Sequence, residues 1–288
     1  MDMESKYILR KVITDFLCLF VVALPILLFY YYGQPYERGF FCDDESLRHP
    51  FKPSTITSGM LYVLGMLLPI ISFMITEYIH FRESNGQAAK TFLGRAIHPW
   101  VWKCYQIIGV FGFGVACSHL ITDIAKYSIG RLRPHFFDVC DPMINCTDPY
   151  NRYRYIIDFE CRKTHDKHLL KEMRLSFPSG HSSFSAYTMV FLAMYLHARM
   201  TWQGSKLLRH FLQYICILMA LVTAMSRVSD YKHHWSDVLA GTLQGSVVAI
   251  LTVLFISDLY SRKHAAIPVP DSEPPTTHSA NSGTNRIC

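Results

Sequence analysis

Apolar stretches recur along the chain at roughly 12–32, 55–79, 100–125, 182–198, 211–226 and 238–258, separated by segments rich in charged and polar residues. A helix rises about 1.5 Å per residue, so about 20 residues cross the roughly 30 Å hydrocarbon core of a bilayer. Each stretch predicts a membrane-spanning helix, and six together predict an all-α integral membrane protein in one bundle. The fourth and fifth stretches are short. Ser182, Ser183, His197 and Ser226 on their flanks suit an interface, and tilt or local thinning absorbs the mismatch. The plain alternative is that one of them is a buried core helix.

The first stretch follows Lys6, Arg10 and Lys11, as a secretory leader would. It is nevertheless long, contains Pro25, and ends in Tyr30-Tyr31-Tyr32 with no small-residue cleavage site, so a retained anchor is expected. Tyrosine suits that boundary because its ring meets acyl chains while its hydroxyl meets water.

Half of the 288 residues are apolar and only 17% are charged, which removes the soluble-domain reading and any expectation of a nucleic-acid partner. The positive charge also sets an orientation, because short cytoplasmic loops retain Lys and Arg. On one side stand eleven: Lys6, Arg10, Lys11, Arg82, Lys90, Arg95, Arg199, Lys206, Arg209, Arg262 and Lys263. The opposite short loops hold five, Arg38, Arg48, Lys52, Arg227 and Lys232. Both termini are therefore expected in the cytoplasm.

Two features of the opposite face agree. Asn145-Cys146-Thr147 is a glycosylation acceptor in the third loop. Cys42, Cys140, Cys146 and Cys161 lie on that face too, an even number in a disulfide-permissive compartment, with three pairings open; Cys18, Cys104, Cys117 and Cys216 lie in the helices. Much of the formal charge of +6 comes from Arg152, Arg154, Arg162, Lys163, Lys167, Lys171 and Arg174 of the long third loop. Those residues read first as a solvated surface and second as an attractor of anionic headgroups.

The membrane domain is expected to cover 1–263. Residues 264–288, with Pro268, Pro270, Pro274 and Pro275 among Ser, Thr and Asn, are too polar to bury a core and are expected to be a disordered cytoplasmic tail. The terminal Arg286-Ile287-Cys288 is not a prenylation box, because the cysteine is last.

Ionisable residues gather in three places on the outer face. In Lys126-Tyr-Ser-Ile-Gly-Arg-Leu-Arg133-Pro134 the two outer cations are close to two helical turns apart, so a continuing helix would project both from one face toward an oxyanion. Snorkelling cations, with Lys126 paired to Asp123, are the structural alternative. In Pro178-Ser179-Gly180-His181, Ser179 can cap a helix, Gly180 lets backbone approach a ligand, and free amides at the helix start suit an anion beside His181. An ordinary cap with an exposed histidine would look similar. Between the last two helices, His233 and Asp237 are four apart in Ser226 to Asp237, where a carboxylate could fix the imidazole tautomer and leave the other nitrogen nucleophilic. Arg227 adds a third cation. A structural His–Asp pair is the alternative there.

These segments resemble, residue for residue, the signature of the type 2 phosphatidic acid phosphatase superfamily: Lys-x6-Arg-Pro, Pro-Ser-Gly-His and Ser-Arg-x5-His-x3-Asp. Most of residues 1–263 is similar to the animal lipid phosphate phosphatases, also called phospholipid phosphatases. The resemblance implies six transmembrane helices, an outward-facing site, and no cofactor or required metal. It implies His233 as nucleophile, Asp237 as its orienting group and His181 as proton donor and acceptor. Lys126, Arg133, Arg227, Ser179 and Gly180 would hold the phosphate. The implied substrates are phosphatidate, lysophosphatidate, ceramide 1-phosphate and sphingosine 1-phosphate, handled at an extracellular or luminal face of the plasma membrane.

Rival expectations are a non-catalytic membrane scaffold and a lipid phosphotransferase that uses an alcohol in place of water. Cys161-x3-His165-x2-His168 has metal-like spacing but no fourth ligand. His119 and Asp123 read as a satisfied polar pair within the bundle. Trp235 reads as an interface anchor, and His234 carries no assigned role. Relatives of this kind often form homo-oligomers, and no packing motif fixes a number.

Overall fold

The computed structural model describes residues 2–83, 89–163, 166–200 and 206–260. The tail expected at 264–288, the cations Arg262 and Lys263, and His165 of the metal-like spacing lie outside the described residues.

Helices dominate: α1 (Met3–Tyr32), α2 (Ser58–Glu83), α3 (Pro99–Ile129), α4 (Phe136–Cys140), α5 (Pro149–Arg152), α6 (Lys167–Glu172), α7 (Gly180–Arg199), α8 (Lys206–Ser229) and α9 (Trp235–Leu251), the last running into a π-helix at Thr252–Ile256. Their ends follow local chemistry. Asp2 caps α1 by accepting from the Ser5 amide, Pro99 opens α3, and Gly130, at φ 59°, closes α3 in the left-handed region that glycine tolerates best.

Five helices, α1, α2, α3, α8 and the α9 segment to Ile256, are long and apolar enough to cross a membrane. The fifth predicted stretch is longer than its apolar run, since α8 covers 24 residues. The fourth, α7, has 20 residues but lower apolarity, and it forms the interior of the bundle, packed by α2, α3, α8 and α9. Protein covers it on most sides. Its Ser182, Ser183, Ser185, Tyr187, Thr188 and Tyr195 are buried and find partners inside: Tyr187 donates to the Phe111 carbonyl at 2.9 Å and Tyr195 to Glu77 at 3.0 Å.

The α7–α9 contact depends on small residues. A Cβ at Gly241 would fall 2.5 Å from the Ser179 carbonyl oxygen, and one at Gly245 would collide with the Ser183 backbone. Gly241-x3-Gly245 is thus a close-packing motif spent within the chain. The main apolar core sits alongside, with Phe73, Phe111, Tyr187, Phe191 and Tyr195 in successive edge-to-face and tilted contacts.

A small cap covers one end of the bundle. In it β1 (Phe40–Phe41) pairs antiparallel with β4 (Tyr155–Ile156), around a core that includes Phe40, Leu132, Phe136, Ile156 and Met173. Of the three pairings open to the four outer cysteines, the structure forms Cys42–Cys146 and Cys140–Cys161, while Cys18, Cys104, Cys117 and Cys216 are free. Cys161 is therefore engaged by sulfur, which removes it as a thiolate metal ligand. The third-loop cations are largely solvated, with Arg162 and Lys163 in exposed pairs with Asp141 and Asp138. At the other end β2 (Lys90–Phe92) and β3 (Arg95–Ile97) form a hairpin turning on Leu93 and Gly94, both at positive φ.

Candidate active site

The three sequence clusters meet between the cap and the bundle. Ser179 caps α7, its Oγ accepting from the Ser182 amide at 3.4 Å and the Ser182 hydroxyl at 2.9 Å. His181 follows in the first turn. It hydrogen-bonds the Ile56 backbone, while its Nε2 is buried with no hydrogen-bond partner among the described residues. Lys126 reaches the same point from the last turn of α3: a Cβ at Gly180 would lie 3.1 Å from its Nζ.

Arg133 arrives differently from its expected placement. The helix stops at Ile129, so Lys126 and Arg133 do not share a helical face. Arg133 instead comes from the following segment, where its amide donates to the Met173 carbonyl at 2.8 Å and its guanidinium lies 3.5 Å from Glu172. Its Nε is buried and unpartnered among the described residues. Beside Lys126, then, one guanidinium N–H has no acceptor and one imidazole nitrogen has no partner among the described residues, so the site holds unmet hydrogen-bonding capacity.

Arg227 is 1% exposed. Asp230 holds it at 2.9 Å, and Asp230 in turn accepts the Thr55 amide (2.8 Å) and hydroxyl (2.7 Å). Arg227 also reaches Ser54 at 3.4 Å. The segment before α2 is thereby tied across the site. Tyr231, at φ 53°, turns the chain so that the amides of Lys232 and His233 both donate to the Arg227 carbonyl. A bulky residue held at positive φ is strained, and such strain collects at functional sites.

The His233–Asp237 contact expected from their four-residue spacing is not a hydrogen bond. Nδ1 of His233 is 3.9 Å from the carboxylate and 2.7 Å from the Ser176 carbonyl oxygen. Asp237, completely buried, accepts instead from Arg131 Nη1 at 2.5 Å, Ser176 Oγ at 2.6 Å and the His234 amide at 3.1 Å. A carbonyl can only accept, so His233 carries its proton on Nδ1 and presents Nε2 unprotonated. Burial first, then Arg133 and Lys126, hold His233 well below the usual imidazole range, which preserves that neutral form.

Several contributors had little signal in the sequence. Arg131 and Lys232 sit inside two clusters but match no motif position. Ser176 precedes Pro178 by two, and Ser54 and Thr55 lie far away in the chain. Lys232 is buried with Nζ 3.6 Å above the Phe51 ring, and burial, then Arg133, pushes it down to about 8. His135, buried against the Tyr231 carbonyl, is pushed down to about 4 by burial. His234 gains a role: its Nε2 meets the Leu132 carbonyl oxygen at 3.1 Å, pinning the start of α9 to the segment that carries Arg133. His119 and Asp123 form the anticipated pair at 3.5 Å, and Trp235 is 71% exposed, as an interface anchor would be.

The PAP2 superfamily model matches residues 107–261. A putative phosphatidate phosphatase of Drosophila melanogaster is 51% identical over 270 residues, covering 90% of this chain and 71% of that protein. Phospholipid phosphatase 1 of Mus musculus is 41% identical over 98% of each chain. Phospholipid phosphatase 2 of Homo sapiens is 42% identical, covering 88% of this chain and 84% of that one. A transmembrane PAP2-type phosphatidylglycerolphosphate phosphatase from Bacillus subtilis, solved by crystallography, aligns with 18% identity over 83% of this chain and 92% of that one, at a TM-score of 0.39.

Proposed function

The chain belongs to the PAP2 superfamily and is a membrane phosphatase of lipid phosphate monoesters, and from that premise we propose that His233 carries the phosphoryl group during turnover. Nε2 of His233 attacks phosphorus as the ester P–O bond breaks, and His181, having taken up a proton on Nε2 as the phosphate monoester binds, delivers it to the departing lipid alkoxide. The products of that half are a phosphohistidine and the lipid alcohol. Water then attacks the phosphohistidine and gives a proton to His181, and breakage of the P–N bond releases inorganic phosphate and restores His233.

Lys126, Arg133 and Arg227, with the α7 amides beyond Ser179 and Gly180, neutralise the non-bridging oxygens. Phosphoryl transfer asks mainly for positioning and charge stabilisation, so fixed cations can do what metal ions do elsewhere. Asp237 acts at one remove: it holds Arg131 and the Ser176 hydroxyl, and the Ser176 carbonyl aims the imidazole. The observation that carries this reading is that two buried, unpartnered nitrogens, Arg133 Nε and His181 Nε2, stand near a histidine whose tautomer leaves Nε2 free.

The substrates proposed are phosphatidate, lysophosphatidate, ceramide 1-phosphate and sphingosine 1-phosphate. We place the catalytic domain at 1–263 with six spans, α7 supplying the sixth at the centre, both termini in the cytoplasm, and the site on the extracellular or luminal face of the plasma membrane. The disulfide-bonded cap and the exposed Asn145 support that sidedness. A homo-oligomer is compatible with this arrangement.

The test is phosphate release from vesicle-borne substrate by the purified protein and by His233→Ala, with chelator present in a parallel arm. Loss in the variant with chelator-resistant activity in the wild type is expected. Equal rates in the two proteins, or complete reversible loss with chelator, would overturn the scheme, and transfer of phosphate to added alcohol alone would make the enzyme a phosphotransferase.

A further inference from the structure

One cavity among the described residues is remote from His233. A cavity of about 390 Å³ opens between α1 and α3 at the far end of the bundle. Lys103 at its mouth lies about 23 residues before Lys126 on α3, about 35 Å away at the helical rise of about 1.5 Å per residue.

Its walls are braced. Asp15 of α1 accepts the Tyr105 hydroxyl of α3 at 2.8 Å, and Glu77, 4% exposed, is held by Arg199 at 3.2 Å and Tyr195 at 3.0 Å. These partners neutralise Arg199 and engage Asp15. Lys11 and Lys103 line the cavity with Asp258 and form no ion pair among the described residues. Lys90 adds charge just outside: it and Lys11 flank the Trp102 ring, 4.5 and 5.6 Å from its centroid.

Deeper along the same helices the lining turns apolar, through Phe16 and Leu19 of α1 and Val110 and Phe113 of α3. Lysines gathered around the buried Trp102 ring at one end of the cavity, above an apolar floor, match an amphiphile that carries its negative charge at one end. We propose that this cavity binds an anionic phospholipid of the adjoining leaflet, with its phosphodiester at Lys11 and Lys103 and one acyl chain along Phe113. The site is separate from the reaction centre and does not depend on the mechanism assigned to His233.

Gly109 supplies a clean test. It lines the cavity, and a Cβ there would meet nothing within 4 Å. Gly109→Leu therefore fills the space, and replacing a mid-helix glycine favours the helix, so a lost lipid response in this variant does not arise from a weakened fold. The full chain, in phosphatidylcholine nanodiscs titrated with phosphatidylglycerol, is followed by thermal unfolding and by lipid retention in native mass spectrometry. Phosphatidylglycerol is a phosphodiester and not a monoester substrate.

A rise in Tm with phosphatidylglycerol is expected, with the half-saturating mole fraction raised at least about ten-fold in both Lys103→Glu and Gly109→Leu and unchanged in His233→Ala. The proposal fails if phosphatidylcholine alone gives the same response or if either cavity variant responds like the wild type. It also fails if the response disappears in His233→Ala, or if glycerol phosphate without acyl chains reproduces it.

Discussion

The imidazole of His233 leans on the Ser176 carbonyl, 2.7 Å from Nδ1, while the Ser176 hydroxyl donates to Asp237 at 2.6 Å. Ser176 is thus a two-sided link between the proposed nucleophile and the carboxylate. Ser176→Ala keeps the carbonyl and removes the hydroxyl, so it should lower kcat by less than ten-fold. Asp237→Asn changes an acceptor-only group into one that also donates and takes charge away from Arg131, so it should cost more than Ser176→Ala. Both are read in kcat for vesicle-borne substrate. A Ser176→Ala variant as inactive as His233→Ala would contradict the link.

Arg131 carries the complementary prediction. Its Nη1 is shared between Asp237 and Ser236 Oγ, and it is 30% exposed while Asp237 is fully buried. Arg131→Ala leaves a buried carboxylate without its cation, a change that typically costs about 3–5 kcal/mol, reduced here because water can reach the Arg131 side. A clear drop in Tm, with partial recovery in Arg131→Ala/Asp237→Asn, is expected in thermal unfolding.

The fold was legible wherever one period of apolar residues spoke for a whole helix, and less so where tertiary partners replaced lipid. The position of α7 came from its apolar run, but its interior place did not, because Tyr187 and Tyr195 become tolerable only once Phe111 and Glu77 accept from them. The residues proposed to react were legible as motif positions. Their geometry was not: Gly130 ends α3 before Arg133, and the His233 partner proved to be a main-chain carbonyl, which no side-chain spacing can announce. Thr55 reaches Asp230 from 175 positions away, a contact that only the folded chain creates.

Lys232 predicts an alkaline limb. With its ammonium pushed down to about 8, this group loses its charge as pH rises through that value, weakening attraction for a phosphate dianion among Arg133 and Arg227. KM should rise above about pH 8, and in Lys232→Arg, which stays charged, the rise should vanish. The stability effect has the opposite sense. The folded value is depressed from 10.5, so stability is greatest above 10.5, is lost as pH falls toward about 8, and changes no further below that. His233 behaves alike on the acid side: its fold contribution is whole above about 6.5 and declines as pH falls below it.

The two disulfides hold the cap that carries Leu132, Phe136 and Met173 against the site. Cys42–Cys146 closes a separation of 104 residues. Long closures restrain the unfolded chain most, and loss of a native disulfide commonly costs about 2–5 kcal/mol. Cys42→Ser/Cys146→Ser should lower Tm and raise protease sensitivity at the third loop. An unchanged Tm in that double variant, matching the wild type under reductant, would show that the cap holds by packing alone.

The sharpest link between fold and chemistry is Gly241. Its backbone lies against Ser179, whose amide donates to the Asp237 carbonyl at 3.0 Å and whose side chain caps α7 beside His181. Adding one carbon at 241 places it 2.5 Å from the Ser179 carbonyl oxygen, inside any real contact distance, so α7 and α9 must part or Ser179 must shift. Either movement displaces the α7 amides from the phosphate they are proposed to face, and misplacement by about 1 Å can cost about 100-fold in rate. Gly241→Ala should therefore lose far more kcat than its loss of Tm suggests. Gly112→Ala, where a Cβ meets nothing within 4 Å, provides the control at an uncrowded helical glycine. Equal activity in the two variants would mean that the α7–α9 approach does not position the site.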